Sequence, residues 1–185
     1  KTLAWDPDEQ SPYTGWTKRM YDNGQINELW HYKDGKRNGL TIRWDEDGQK
    51  ELEGNYKDGK KDGLSTWWYK NGQKKIEVIV KNGQLEGLQT EWYENGVKMQ
   101  EHEFKNGKWD GSVRVWHDNG QLALDGQNKN NKGYGTWKNY DREGNLEETE
   151  YWKDGESFTL KVLENEDGSR QECYENKDGK KHGQG

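Results

Sequence analysis

The chain has 185 residues and a net charge of −6, with 24 glycines and 11 tryptophans but only two prolines, two phenylalanines and one cysteine. Leu, Ile, Val and Phe together supply 24 residues, about 13% of the chain, which excludes a large layered core. An aromatic content of 12% is too high for a solvated polar coil, so the rings must serve an ordered structure.

Composition also disfavours several classes of partner and location. Lysine is spread evenly among Asp and Glu, so the basic surface that a phosphate backbone requires is absent and nucleic acid is not a predicted partner. No apolar run approaches the roughly 18 residues of a membrane-spanning helix, and no signal peptide is recognisable. The chain begins at Lys1 without Met, as an exported or cell-envelope protein would after trimming, but a cytoplasmic location is equally open.

Residues for chemistry are sparse. Cys173 is the single cysteine, which excludes an internal disulfide framework and a multi-thiolate metal site. The four histidines occupy unrelated positions in the sequence and show no metal-ligand spacing. No Ser-His-Asp arrangement or phosphate-cradling loop can be assigned. The sequence therefore predicts no enzyme, no cofactor and no metal.

A period of 24 residues organises the chain, and such a period outweighs local propensity in deciding the fold. Residues 1–14 hold both prolines and are predicted to be a capping segment. The repeat array covers 15–183 as units 15–38, 39–62, 63–86, 87–110, 111–134, 135–158 and 159–182. Every unit has a turn glycine at the same place: Gly24, Gly48, Gly72, Gly96, Gly120, Gly144 and Gly168. Since the phase never slips, we expect one domain with loops of fixed length.

Each unit is predicted to be a β-hairpin. In the second unit Glu46-Asp47-Gly48 and Asp58-Gly59 are turn signals between alternating segments. A three-residue loop with glycine third predicts a G1 bulge, with Asp45 paired to Gln49. The predicted fold is all-β: an elongated, twisted, single-layer antiparallel β-meander of seven hairpin repeats.

Strict alternation from the Asp45–Gln49 pair predicts one apolar face. In the second unit this face holds Leu40, Ile42, Trp44, Leu52 and Tyr56. Because 24 is even, the same face continues through Leu64, Trp68, Ile76, Val78, Val80, Leu88, Trp92 and Phe104. The opposite face then receives Trp67, Tyr69, Ile79 and Tyr93, for which alternation offers no reason.

Two aromatic rows follow from this register and supply the candidate binding residues. The first row is Trp44, Trp68, Trp92, Trp116 and Tyr140, and the parallel row is Tyr56, Phe104 and Trp152. The register sets Trp44 opposite Lys50, Trp68 opposite Lys74, Trp92 opposite Lys98 and Trp116 opposite Leu122. A lysine over an exposed indole contributes about 0.5–1 kcal/mol. The rows can hold neighbouring hairpins together or offer flat stacking surfaces to a partner, and the two interpretations are compatible.

The units resemble the MORN-variant repeat family. The carrying segments are Trp68-Tyr69-Lys70-Asn71-Gly72-Gln73 and Tyr56-Lys57-Asp58-Gly59-Lys60-Lys61-Asp62-Gly63, and the resemblance extends over about residues 15 to 183. The fifth unit departs from the pattern at Asn128, Asn131 and Gly133-Tyr134-Gly135, which predicts irregular pairing and a bend there. Bacterial members are commonly labelled YwqK-like antitoxins, so the resemblance implies a binding array without catalysis.

The predicted function is a non-catalytic repeat scaffold that binds another macromolecule, with a protein as the leading partner and an antitoxin-like role as one form of it. The contact surface would be the aromatic face or an exposed edge strand. The alternative is a cell-surface carbohydrate- or choline-binding module. Thr14-Gly15-Trp16 is similar to the Gly-Trp segment of such modules, although Gly-Trp is not repeated in every unit of this chain. Self-association through the apolar face is a third hypothesis.

Overall fold

The computed structural model describes residues 12–164, 170–176 and 181–182, with side chains up to Thr159. Its contacts divide the chain into an N-terminal module, Lys1–Val97, and a C-terminal module, Lys98–Gly185. The described residues form strands and the turns between them, which confirms the all-β prediction. In this part of the chain no helix is long and apolar enough to cross a bilayer.

Both modules are antiparallel meanders, in which strands pair in chain order. The N-terminal module contains β1 (Gly15–Met20), β2 (Ile26–Lys33), β3 (Lys36–Trp44), β4 (Lys50–Lys57), β5 (Lys60–Trp68), β6 (Lys74–Lys81) and β7 (Gln84–Trp92). The C-terminal module contains β8 (Lys98–Lys105), β9 (Lys108–Trp116), β10 (Leu122–Lys129), β11 (Lys132–Tyr140), β12 (Leu146–Lys153), β13 (Glu156–Glu164), β14 (Arg170–Asn176) and β15 (Lys181–His182). The predicted meander of consecutive hairpins is therefore confirmed.

Two kinds of turn alternate along both modules. At the short turns two consecutive residues have positive φ, as at Asp58 (50°) and Gly59 (79°), the type I′ geometry that matches the twist of antiparallel strands. Asn131 replaces the glycine of one short turn at φ 67°, which its short amide side chain tolerates. The longer turns end on a left-handed glycine such as Gly48 at φ 80°, whereas Gly168 lies outside the described residues.

The start of the array is packed against the first short turn. The carbonyl of Tyr13 accepts a hydrogen bond from the Gly35 amide, and Thr14 Oγ1 accepts one from the Asp34 amide. The Tyr13 ring lies edge-on to Tyr32 with centroids 6.3 Å apart. Tyr13 and Thr14 are thus hydrogen-bonded to the first short turn, and residues 1–11 of the predicted capping segment lie outside the described residues.

The register slips by one residue within the hairpins β1–β2, β3–β4, β5–β6, β9–β10 and β11–β12, though not within β13–β14, and this overturns the predicted single apolar face. Trp44 pairs with Lys50 as predicted, but Arg43 pairs with Leu52 instead of Glu51. The extra residue is a β-bulge, and a one-residue slip sends the following side chains to the opposite face. Leu52 and Tyr56 therefore lie on the face away from Trp44, and in the C-terminal module Phe104 lies on the face away from Trp116.

The same slip accounts for two of the four residues that strict alternation misplaced, Trp67 and Ile79. Trp67 pairs with Leu52 on one side and with Ile76 on the other, so it belongs to an apolar row. Ile79 pairs with Leu64 on the opposite face. Both side chains therefore have apolar neighbours across the strands.

We call the face with Trp44, Lys50, Trp68, Lys74 and Trp92 the ladder face of the N-terminal module. Its opposite, the core face, carries the paired series Trp30, Thr41, Gly54, Ser65 and Val78. All five of these residues are buried, because small side chains stand between larger neighbours. In the C-terminal module the ladder face holds Trp116, Leu122, Tyr140 and Leu146, and the core face holds Val113, Gly126, Trp137 and Glu150.

Candidate functional site

Tryptophan and lysine side chains form a ladder beside the longer turns of the N-terminal module. Trp68 pairs with Lys74 across its own hairpin. Each ammonium nevertheless lies over the indole of the next hairpin: Lys50 Nζ is 5.1 Å from the Trp68 ring, and Lys74 Nζ is 5.7 Å from the Trp92 ring. The lysine thus reaches past the indole it opposes, and the cation–π contact joins neighbouring hairpins.

A glutamate holds each lysine of this ladder. Lys50 Nζ is 2.7 Å from Glu53 Oε2, and Lys74 forms the equivalent ion pair with Glu77. These pairs are partly exposed, so each contributes only about 0–1 kcal/mol. Their main effect is to fix the ammonium between a carboxylate and an indole and to balance its charge within the chain.

An apolar row is exposed on the same face, near the short turns. Leu64 pairs with Ile79, and Leu88 occupies on β7 the position that Leu64 has on β5. Their exposed fractions are 46%, 44% and 43%. A polar row separates these side chains from the ladder: Glu53, Thr66, Glu77 and Thr90, each paired with the next. Apolar side chains framed by polar ones are the usual composition of a protein interface.

The second predicted aromatic row lies on the core faces, so the two rows do not form one surface. In the N-terminal module the Arg37 guanidinium is 5.1 Å from the Trp30 ring and 5.5 Å from the Tyr56 ring. Burial alone would lower the pKa of Arg37, but the hydrogen bonds and charges of Tyr32 and Tyr56 raise it. Tyr56 is therefore engaged with a charged guanidinium of its own chain.

The ladder changes in character along the C-terminal module. Lys98 Nζ lies 5.6 Å from the Trp116 ring and 2.6 Å from Glu101 Oε1, as in the N-terminal ladder. Further along, leucines take the place of lysines: Trp116 pairs with Leu122, as predicted, and Tyr140 pairs with Leu146. Trp116 and Tyr140 thus share a ladder face, but only Trp116 carries a lysine.

The core face of the C-terminal module contains a cavity of about 310 Å³. Three indoles and an imidazole line it: Trp109, Trp137, Trp152 and His102. The ring centroids of Trp109 and His102 are 5.1 Å apart with 16° between the planes, and those of Trp137 and Trp152 are 5.7 Å apart. The rest of the lining is Val113, Val115, Leu124, Asn128 and Gly133. The cavity is therefore aromatic and apolar, with few polar groups.

Glycines of the fifth unit make room for these indoles. A Cβ at Gly126 would lie 2.7 Å from Cε2 of Trp137, and one at Gly133 would lie 2.8 Å from Cδ2 of Trp152. Strands β10 and β11 stay paired through this unit, with a register shift between Asp125 and Gln127. The same kind of shift lies between other consecutive hairpins, as between Gly54 and Tyr56 and between Val78 and Val80, so β10 and β11 do not show the irregular pairing expected from the sequence.

Of the predicted binding residues only Trp152 lines the cavity, while Phe104 packs edge-on against Trp109 at 6.5 Å. Trp109 and Trp137 fall outside both predicted rows and were missed. A signal for Trp137 exists in the repeat, because the equivalent positions hold the smaller Thr41, Ser65, Gln89 and Val113. A tryptophan opposite a glycine in that series indicates a site that the other units lack.

No metal site is evident in the described part of the chain, where three or more His, Cys, Asp or Glu side chains nowhere gather in a metal-binding arrangement. Carboxylates in the turns accept hydrogen bonds from backbone amides instead. Asp141 Oδ1 accepts hydrogen bonds from the amides of Glu143 and Asn145, at 3.0 and 2.8 Å. Hydrogen bonds from the Asn145 side chain and from the backbone lower the pKa of Asp141.

Comparison with known proteins identifies the repeats. The model of the MORN repeat variant matches residues 37–58, 61–82, 85–106 and 134–154. No curated protein matches the chain. Among solved structures it is similar to alternansucrase in complex with isomaltononaose, at 16% identity and a TM-score of 0.19, over 94% of this chain and 17% of that one.

The matched segments agree with the hairpins of the structure. Residues 37–58 cover β3, a longer turn and β4, and 61–82 cover β5, a longer turn and β6. The stretch between 106 and 134 is unmatched, and it includes most of the divergent fifth unit. The chain therefore carries repeats of the MORN variant family, which generally serve as non-catalytic binding scaffolds.

Proposed function

We propose that the ladder face of the N-terminal module is a docking surface for a protein partner. The observation that carries this proposal is the exposed row of Leu64, Ile79 and Leu88 beside an ordered tryptophan–lysine ladder. On the core face of the same module Trp30 and Val78 are buried within the chain. The ladder face therefore has more accessible apolar surface than the core face for contact with a partner.

The electrostatics of this face favour a protein over a phosphate-bearing ligand. Lys50 and Lys74 are each neutralised by a glutamate, so neither is a free cation for a phosphate. Tryptophans are enriched at the centres of protein interfaces. In this proposal Trp44, Trp68 and Trp92 supply contact area, while Tyr56, Phe104 and Trp152 support the fold from the core faces.

Partner capture with a variant that carries negative charge on the exposed apolar row tests the proposal. The double variant Leu64→Glu/Leu88→Glu places two carboxylates on the exposed row without opening a buried cavity, because both leucines are more than a third exposed. A partner purified by affinity capture should bind this variant at least about tenfold more weakly in a titration. Circular dichroism and thermal melting verify that the variant is folded.

The matched control is Leu146→Glu, which charges a leucine exposed to 55% on the ladder face of the C-terminal module. It should leave binding unchanged. Equal affinity of the partner for wild type, the double variant and the control would overturn the docking surface. Light scattering on the purified chain shows whether the partner is a second copy, since the same double variant would then lower the measured mass.

An antitoxin-like role is the finer form of this proposal, and it rests on the family resemblance. It requires that the captured partner arrest growth when expressed alone. Co-expression of the wild-type chain should then restore growth, and Leu64→Glu/Leu88→Glu should not. A partner without effect on growth would remove the antitoxin role and leave the scaffold intact.

A further inference from the structure

Cations of the chain cover many of its aromatic rings. Arginines lie over Trp30 and Tyr56, and lysines lie over Trp67, Trp68, Tyr69, Trp92, Trp116 and Tyr134, all with the charged group within 5.7 Å of the ring centroid. The negative face of an aromatic ring attracts a cation. In these repeats the chain itself supplies that cation.

Among the described rings without such a cation, as at Trp16 and Trp44, are the three indoles that line the cavity of the C-terminal module. Within the described residues, no lysine or arginine lies over Trp109, Trp137 or Trp152. These three indoles line an open volume of about 310 Å³, which is at the small end of ligand-binding sites, and the imidazole of His102 stacks on Trp109. The geometry leaves ring surface for a cation from outside the chain.

A carboxylate beside these indoles also favours the binding of a cation. Glu150 pairs with Trp137 across β11 and β12, and it shares its face with Trp152 two residues later. Its Oε2 accepts a hydrogen bond of 3.0 Å from Trp152 Nε1, and the residue is only 8% exposed. A buried negative charge bonded to the indole N–H makes the nearby ring face more attractive to a cation.

We propose that this cavity binds a trimethylammonium group, such as that of choline. Its methyl groups suit the apolar lining of Val113, Val115 and Leu124, and its positive charge suits the indole rings, one of which donates its N–H to Glu150. A primary ammonium or a guanidinium would find few side-chain acceptors in this lining, those of Asn128 and His102, and would leave its other N–H donors unpaired. A sugar would likewise leave most of its hydroxyls unpaired.

This site is separate from the proposed docking surface, because it lies in the other module and on a core face. The two proposals can therefore fail independently. Leu64→Glu/Leu88→Glu should leave the cavity intact, and changes in the cavity should leave protein docking intact.

Titration of the full chain with choline and with its neutral isostere 3,3-dimethylbutan-1-ol tests the charge requirement. The indole N–H resonances of ¹⁵N-labelled protein provide the readout, with those of Trp137 and Trp152 assigned by substitution. We expect choline and tetramethylammonium to shift these resonances and the isostere to bind at least about tenfold more weakly. Equal binding of the isostere would overturn a cation site, and so would the absence of any shift with choline.

Variants locate the site. Trp109→Ala removes one wall and should weaken choline binding at least about fivefold, and Glu150→Gln should weaken it while keeping an acceptor for Trp152 Nε1. The matched control is Trp16→Ala, since Trp16 also contacts a histidine, His31, at 5.0 Å. It should bind choline like wild type. Choline binding that survives both cavity variants would overturn the assignment.

Binding to lipid vesicles distinguishes two sources of the trimethylammonium group, a lipid headgroup and a soluble ligand. Binding to phosphatidylcholine vesicles, but not to phosphatidylglycerol vesicles, indicates that the cavity accepts a lipid headgroup. Binding to free choline without vesicle binding indicates a soluble ligand. Both results require the cavity and support the proposal, and binding to neither would overturn it.

Discussion

Some glycines of this chain matter for the space above them and others for their backbone conformation. Gly48 closes a longer turn at φ 80°, where a residue with a Cβ would be strained. Gly126 has no such requirement, because its φ lies outside the left-handed region. It is needed because the Trp137 indole occupies the position of its missing side chain.

Gly126→Ala should destabilise the protein by about 1–3 kcal/mol, since the added methyl group collides with a large, packed ring. Trp137→Val introduces the residue that the preceding unit has at this position and removes the collision. In the Trp137→Val background, Gly126→Ala should therefore destabilise the protein much less than it does in the wild type. Denaturant unfolding of the single and double variants measures the coupling. Additive effects of the two substitutions would contradict the collision.

Gly54→Ala is the matched control, because Gly54 has the same repeat position on the core face of the N-terminal module that Gly126 has in the C-terminal module. Its Cβ would lie 2.9 Å from Ser65 Oγ, the end of a small side chain that can rotate away. The expected loss of stability is smaller than for Gly126→Ala. A larger loss at Gly54 would show that backbone conformation, and not the indole, limits these positions.

Neighbouring hairpins are joined by side chains at the longer turns, in addition to the strand ladders. Tyr69 Oη donates a hydrogen bond of 2.7 Å to the carbonyl of Trp92, and Tyr21 does the same to Trp44 at 2.8 Å. Where the repeat has aspartate, as at Asp45, the carboxylate accepts hydrogen bonds from its own turn instead. The identity of this residue thus decides whether its own side chain bonds to the next hairpin or to its own turn, and asparagines two positions later, as Asn71 to the Glu94 carbonyl, also join neighbouring hairpins.

Tyr69→Phe should lower the free energy of unfolding by about 0.5–1.5 kcal/mol, the usual value of a hydrogen bond. Burial, then the charges of Glu94 and Glu91, raise the pKa of Tyr69. The folded state therefore holds this proton more tightly than the unfolded chain does. The associated stability is fully present below the unfolded pKa of about 10 and is lost as the pH rises through the folded pKa.

Unfolding of wild type and Tyr69→Phe at pH 8 and above pH 10 measures this effect. The difference between the two proteins should shrink in the alkaline range. Tyr134→Phe is the control, because Tyr134 is 47% exposed and Phe keeps its ring beneath Lys129. A constant difference across the pH range would contradict the role of the Tyr69 proton.

At the scale of the whole molecule, each module is built from pairings between consecutive strands. Within the N-terminal module β6 pairs with β5 and β7. Stability in such arrays is approximately a sum of repeat terms and nearest-neighbour terms. A defect in one hairpin should therefore be felt most strongly in the strands beside it.

Val78→Ala tests this behaviour, because Val78 is 4% exposed at the centre of β6. Loss of buried apolar surface should cost about 1–3 kcal/mol. Hydrogen exchange should show reduced protection in β5, β6 and β7 and little change in β11 and β12. An equal loss of protection in both modules would contradict nearest-neighbour behaviour.

The hairpins and their phase could be predicted from the sequence, because turn chemistry is local. Asp58-Gly59 specifies a type I′ turn and Gly48 a left-handed turn end through their own backbone preferences, and the 24-residue period repeats both. The MORN-variant resemblance rests on the same residues. The sequence by itself thus determined an all-β meander of repeats and a binding scaffold as the general function.

Tertiary structure decided which side chains share a face and what they touch. One extra residue at Glu51–Leu52 forms a β-bulge. Because the extra residue shifts the alternation of the following side chains to the opposite face, the two aromatic rows are separated. The long lysine side chains reach the next hairpin, as Lys50 reaches Trp68, which strand pairing alone does not specify. The cavity likewise exists only because Gly126 and Trp137, distant by 11 positions, meet across two strands and leave ring surface open beside Glu150.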